Sequence, residues 1–140
     1  MKICPPERAL PLEDAQRATG GELTSPNFPT LWNDGIPSKY KYPTYHESTR
    51  VIQVAEGHRI RIHFKDFATD EGNDYLEVTD GNGELLAERI SGHGEYDVDA
   101  RTWTSREVED IVSKTEKVFL RFRTLGEPTY FGWRLEWQQI

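Results

Sequence analysis

From residue 51 onward, apolar and polar side chains alternate in short runs, each closed by a turn residue. The clearest run spans residues 59–65. Ile60, Ile62 and Phe64 fall on one side, with Arg59, Arg61, His63 and Lys65 on the other, the period of two that marks a half-buried strand. Residues 51–54 precede it and stop at Glu56-Gly57. Residues 75–78 follow and stop at Asp80-Gly81-Asn82-Gly83, a hairpin signal, after which residues 85–90 return. Near the end, Val118, Leu120 and Phe122 alternate with Phe119, Arg121 and Arg123, and Trp133, Leu135 and Trp137 with Arg134 and Glu136. Many short alternating strands separated by Gly and Pro predict an all-β antiparallel sandwich. The core candidates are Phe64, Phe67, Trp103, Phe122, Trp133 and Trp137. One stretch breaks the pattern. Thr104 with Glu107 three residues on has the form of a capping box, and Val108, Ile111 and Val112 have helical spacing, so a short helix is expected within 105–113.

The segment Gly20-Gly21-Glu22-Leu23-Thr24-Ser25-Pro26-Asn27-Phe28-Pro29 reads as a short edge strand running into an extended turn. Each Pro fixes its own φ, lacks a donor and restricts the residue before it, which excludes helix. Residues 1–18 form a Pro-punctuated lead-in, and residues 19–140 one domain. A chain of 140 residues can bury a core without staples.

Charge narrows the function. With 24 Asp and Glu against 17 Lys and Arg, the chain is acidic, which argues against nucleic acid and for cationic or basic-protein partners. Mean hydropathy is −0.73, and no apolar run approaches the roughly 18 residues of a membrane span. Residues 1–6 lack the apolar stretch of a secretion signal, so a secreted location expects that signal to have been removed. Cys4 is the single cysteine and cannot close an internal bridge. It is read either as a free thiol in the lead-in or as a link to a partner or a second copy. His46, His58, His63 and His93 show no metal-ligand spacing. Ser91-Gly92-His93-Gly94 lacks a nucleophile elbow, and Asp70 and Asp74 lie in one loop with no apolar cleft to split their pKa values. No enzyme is expected.

The ten residues from Gly20 to Pro29 resemble the opening motif of the CUB domain, Cys-Gly-Gly-x-Leu-x-Ser-Pro-Asn-(Tyr/Phe)-Pro, with Thr19 in the Cys position. Further similarity runs to about residue 138. Residues 51–65 resemble the family's strand–turn–strand. Phe67-Ala68-Thr69-Asp70 with Asn73-Asp74-Tyr75-Leu76-Glu77-Val78 resembles Phe-x-x-Glu…Tyr-Asp-x-Leu-x-Val. Asp80-Gly81, residues 88–92, residues 122–124 and Gly132-Trp133 match later elements in order. The resemblance implies a jelly-roll-like β-sandwich, a secreted or extracellular location and a non-catalytic protein-recognition role. All four positions of the family's two disulfides have changed, Thr19 with Ser48 and Glu71 with Ser91. Losing a native bridge typically costs about 2–5 kcal/mol, which packing must offset.

The resemblance also implies a calcium site at one end of the sandwich, with Asp70 and Asp74 as the first ligands. Where a third Asp is usual the chain has Leu125, and Glu127 is the nearest carboxylate. The family's supporting Tyr falls at Trp32. Two readings stay open: Ca²⁺ held by Asp70, Asp74 and Glu127, or a solvated acidic loop. In either case the two Asp would grip a basic residue of a partner protein. Trp32, Tyr40 and Tyr42 are read as partner-binding aromatics, or equally as a local mini-core. The basic stripe Arg59, Arg61, His63 and Lys65, extended by Arg121, Arg123 and Arg134, is read as a charged solvent face before a sulfated-glycan site. The alternatives to a protein-recognition module are a glycan-binding sandwich and a disulfide-free scaffold stripped of its binding function.

Overall fold

The computed structural model describes residues 19–28 and 42–140. The expectations for the 1–18 lead-in, Cys4, Trp32 and Tyr40 lie outside those residues. The strands among them are β1 (Gly20–Thr24), β2 (Glu47–Gln53), β3 (Ile60–Ala68), β4 (Tyr75–Asp80), β5 (Leu85–Ile90), β6 (Tyr96–Asp97), β7 (Thr102–Trp103), β8 (Ile111–Val112), β9 (Lys117–Arg123) and β10 (Gly132–Gln139). One sheet runs β1-β10-β3-β8 and the other β2-β9-β4-β5, while β6 and β7 form a separate two-stranded ribbon. Every pairing is antiparallel. The described residues form an all-β sandwich.

The alternation in the sequence sets the core. Ile60, Ile62 and Phe64 of β3, Val118, Leu120 and Phe122 of β9, and Trp133, Leu135 and Trp137 of β10 join Ile52, Leu76 and Val78 in one buried cluster. Each such side chain contributes about 1.5–3 kcal/mol on burial, so the cluster can offset the missing bridges. One irregularity matters for the site. Arg134 pairs with Asp66 and Leu135 with Phe64, which leaves Lys65 as the extra residue of a bulge. The bulge resets the phase of β3, so Phe67, not Asp66, points inward.

The opening motif has a packing reason. A Cβ on Gly21 would lie 2.9 Å from the Trp137 indole nitrogen, so only glycine lets the ring lie against β1. Ser25 is buried and extends the β1–β10 pairing: its N–H donates to the Trp133 carbonyl at 2.9 Å, and its hydroxyl accepts the Trp133 N–H at 3.0 Å. Phe28 N–H then donates to the Ser25 carbonyl at 3.2 Å across Pro26 and Asn27, whose φ is 61°. Pro followed by a positive-φ Asn is the type II turn pattern.

Two expectations are corrected. No helix forms within 105–113. The Thr104 hydroxyl and N–H both donate to the Glu95 carbonyl, Ser105 Oγ accepts the Phe67 N–H, Arg106 N–H donates to the Phe67 carbonyl, and Ile111 and Val112 pair with β3. These groups serve strand partners, so tertiary pairing overrides the local capping signal. Trp103 is not core either. It is 37% exposed and packs on the rings of His93, Tyr96 and Tyr130.

Candidate functional site

The registers bring four connections to one end of the sandwich. Thr24 lies opposite Arg134, Ala68 opposite Gly132, Tyr75 and Glu47 opposite Arg123, and Leu76 opposite Ile90. The 69–74 turn, the approach to β2, the segment after β5 and the β9–β10 loop therefore share that end.

The 69–74 turn is closely tied. Asp74 N–H donates to the Asp70 carbonyl at 3.0 Å, and Thr69 N–H to the Gly92 carbonyl at 2.8 Å. The Thr69 hydroxyl donates to the Asp74 carbonyl and accepts the Gly92 N–H. Ser91 Oγ accepts the Gly72 N–H at 2.8 Å and contacts the Asp70 carbonyl at 3.5 Å. One of the two positions where the resemblance implies a bridge, Glu71 with Ser91, is thus joined by a serine hydrogen bond to the turn. At the other, Ser48 Oγ bonds His46, and the Thr19 carbonyl accepts the Gln139 N–H.

The two aspartates differ sharply. Asp70 is partly exposed, and its Oδ2 accepts an Asn73 side-chain N–H at 2.9 Å. Asp74 has no exposed surface. Its Oδ2 accepts the Tyr42 hydroxyl at 2.6 Å and its Oδ1 accepts the Leu125 N–H at 2.7 Å. The Tyr42 oxygen in turn accepts the Asp70 N–H at 3.1 Å. Burial raises the Asp74 carboxyl above the usual aspartate range, the bonds from Tyr42 and Leu125 pull it back, and the Asp70 charge raises it. Burial and the bond to Asp74 push the Tyr42 phenol far up. Tyr130 beside them is also raised, by burial and then by Asp70 and Asp74.

The expected residues sort accordingly. Asp70 and Asp74 come together. Glu127 is exposed in the β9–β10 loop, and among the described residues no three His, Cys, Asp or Glu gather in metal-holding range. The set Asp70, Asp74 and Glu127 is therefore not assembled. Calcium takes about 6–8 oxygens. Of the expected set the turn brings together two carboxylates, Asp70 and Asp74, the latter already accepting two hydrogen bonds. The described residues alone do not complete a calcium sphere. For Tyr42 the mini-core alternative fits and the partner-anchor reading is corrected: it is 1% exposed and packs edge-on to Phe122 at 5.2 Å, so it supports Asp74 from inside. Asp74 is corrected as a direct partner contact, because it has no exposed surface. The sequence reading missed Thr69, Tyr130 and the Leu125 N–H, and residue type alone carried no signal for any of them.

The basic stripe is partly paired with acids. His63 pairs with Asp110 at 2.7 Å, Lys65 with Glu136 and Glu22 at 3.6 and 3.8 Å, Arg134 with Asp66 at 2.9 Å, and Arg121 with Glu47 and Glu77 at 2.9 and 3.3 Å. Exposed pairs of this kind contribute little stability, and Arg59, Arg61 and Arg123 of the stripe remain exposed to solvent.

A family model described as CUB domain matches residues 13–137. Rat Cubilin is 27% identical over 124 residues, covering 84% of this chain and 3% of the relative. Human Tolloid-like protein 1 is 28% identical over 116 residues, covering 79% of this chain and 9% of the relative. The chain thus spans a small fraction of these relatives. Among solved structures, the MASP-1 CUB2 domain bound to Ca²⁺ superposes with a TM-score of 0.65 at 20% identity, covering 86% of this chain and 93% of that one, a likeness of fold.

Proposed function

The chain belongs to the CUB domain family, a family of extracellular protein-interaction modules, and from that premise we propose that it recognises a partner protein by gripping a basic side chain at the 69–74 turn. The carrying observation is the division of labour between the two aspartates. Asp70 presents a partly exposed carboxylate on a backbone pinned by the Tyr42 hydroxyl and by Asp74. Asp74 stays buried as the support. A partner's ammonium or guanidinium would pair with Asp70 directly, a bond of small value at an exposed rim that gains as the interface excludes water.

On this reading the grip needs no calcium, since the described residues do not complete a calcium sphere. The Ca²⁺-bound relative makes the calcium-dependent version the competing outcome. The test captures binding partners with the wild-type chain and with Asp70→Asn, each with calcium and with a chelator. Asp70→Asn should weaken binding about tenfold with its melting temperature unchanged, and chelation should leave both unaltered. Undiminished binding by Asp70→Asn sinks the assignment. Binding that needs calcium, with a melting temperature several degrees higher in its presence, transfers the site to the metal-dependent mode.

A further inference from the structure

The β6–β7 ribbon stands outside both sheets, and its surface is partly apolar. Tyr96 is 46%, Val98 75% and Trp103 37% exposed, three large apolar side chains within eight consecutive positions. A two-stranded ribbon is marginal alone. This one is anchored through rings: His93 stacks on Tyr130 at 4.7 Å and meets Trp103 at 4.4 Å, and Trp103 takes Tyr96 edge-on at 5.1 Å. Anchored below and apolar above, it has the form of a contact surface.

Its charge indicates the partner. Along residues 95–99 the order is Glu95-Tyr96-Asp97-Val98-Asp99, acid alternating with apolar, and all five are exposed. Asp97 Oδ1 accepts the N–H groups of Asp99 and Ala100 to shape the turn. Unlike the acids on the β-sheet face, none of the three carboxylates forms an ion pair among the described residues. Arg101 is the single base between residues 95 and 103. Tyr130, at the ribbon's foot, stacks on His93.

We propose that the ribbon docks an extended partner segment in which arginine alternates with apolar residues. Tyr96 lies opposite Trp103 and Asp97 opposite Thr102, so rings and acids alternate between the ribbon's faces, and an extended partner segment can set guanidinium groups against Glu95, Asp97 and Asp99 on one of them. Apolar side chains cover Val98 and Tyr96. The inference rests on the loop end being the recognition end, but it uses residues the Asp70 grip does not.

The experiment titrates the full chain with a short synthetic peptide of alternating arginine and valine, with its lysine and glutamate counterparts as controls. Val98→Ser at the exposed tip and Tyr96→Ser/Trp103→Ser at the base keep every charge, and unchanged melting of Val98→Ser makes that variant decisive even if the double variant loosens. The expected order is arginine over lysine peptide with no binding of the glutamate peptide, and about tenfold weaker binding in each ribbon variant. Glu56→Gln/Glu88→Gln, removing charge elsewhere, should shift binding less than twofold. Equal loss in that control, or none in the ribbon variants, overturns the proposal. Loss in Asp70→Asn alone overturns the ribbon while leaving the Asp70 grip standing. A monomer–dimer equilibrium abolished by the ribbon variants, or saccharide binding lost with them, overturns it in favour of a second copy or a glycan.

Discussion

Replacing Tyr42 by Phe removes one oxygen and leaves the ring against Phe122, so it isolates the hydroxyl that joins the two aspartates. That hydroxyl donates to a buried carboxylate at 2.6 Å, and hydrogen bonds to charged groups contribute about 1.5–3 kcal/mol. It also accepts the Asp70 N–H at 3.1 Å, which water can replace at this partly exposed position. The expected loss at neutral pH is therefore about 2–3 kcal/mol. For a domain of this length that corresponds to a fall in melting temperature of roughly 6–12 °C.

The pH dependence makes the test sharp. Burial holds the folded Asp74 pKa above its unfolded value, and the Tyr42 bond lowers it. A carboxyl with a raised folded pKa contributes most to stability below its unfolded pKa, and that contribution is lost as pH rises through the folded pKa. In Tyr42→Phe the folded pKa moves higher still, so the loss extends further up the pH scale. The difference between the two proteins should be smallest in acid, about 1 kcal/mol where Asp74 is protonated and a neutral hydrogen bond is removed, and should grow to its full size as pH rises and Asp74 ionises. Urea unfolding of both proteins at several pH values gives this difference directly, with other titrating groups cancelling. A difference that is flat with pH, or below about 0.5 kcal/mol throughout, would refute the picture of an ionised Asp74 held by Tyr42.

Asp80 gives the opposite slope. It is fully buried, and although burial opposes ionisation, bonds from the Thr115 hydroxyl, the Lys114 N–H and the Gly81 N–H hold its carboxyl below the usual range. Its stabilisation is complete above the unfolded pKa and is lost as pH falls through the folded one. Asp80→Asn should cost about 2–3 kcal/mol at neutral pH in urea unfolding, with the gap to wild type closing in acid; a gap that widens in acid would contradict the assignment. Gly132 has φ 93°, and a Cβ there would overlap the Ser25 hydroxyl. Gly132→Ala should therefore combine backbone strain with loss of the Ser25–Trp133 bond, about 3–5 kcal/mol in total. A melting temperature within two or three degrees of wild type would show that β10 starts differently from the arrangement described.

How much could be read in advance depended on where each group finds its partner. The strands were legible because one-sided burial imposes a period of two on residue type, as in Ile60, Ile62 and Phe64. The bulge at Lys65 was not, because an unpaired residue shows itself only in the register with β10. Thr104 and Glu107 carry the residue types of a helix start, yet Thr104 serves Glu95 across the ribbon, and nothing local distinguishes the two uses. Ser25-Pro26-Asn27 announced its turn through Pro and Asn, but the tie from Ser25 to Trp133 spans 108 positions. The site is the extreme case. Asp70 and Asp74 are the same residue type four positions apart, and the sequence assigned them one role. What separates them is a phenol 32 positions back and a backbone N–H 51 positions ahead. The second donor belongs to Leu125, whose side chain says nothing of it, since every residue but proline carries that N–H. A leucine at this position looked like a missing ligand; through its backbone it is one of the two donors that hold Asp74 in place behind Asp70.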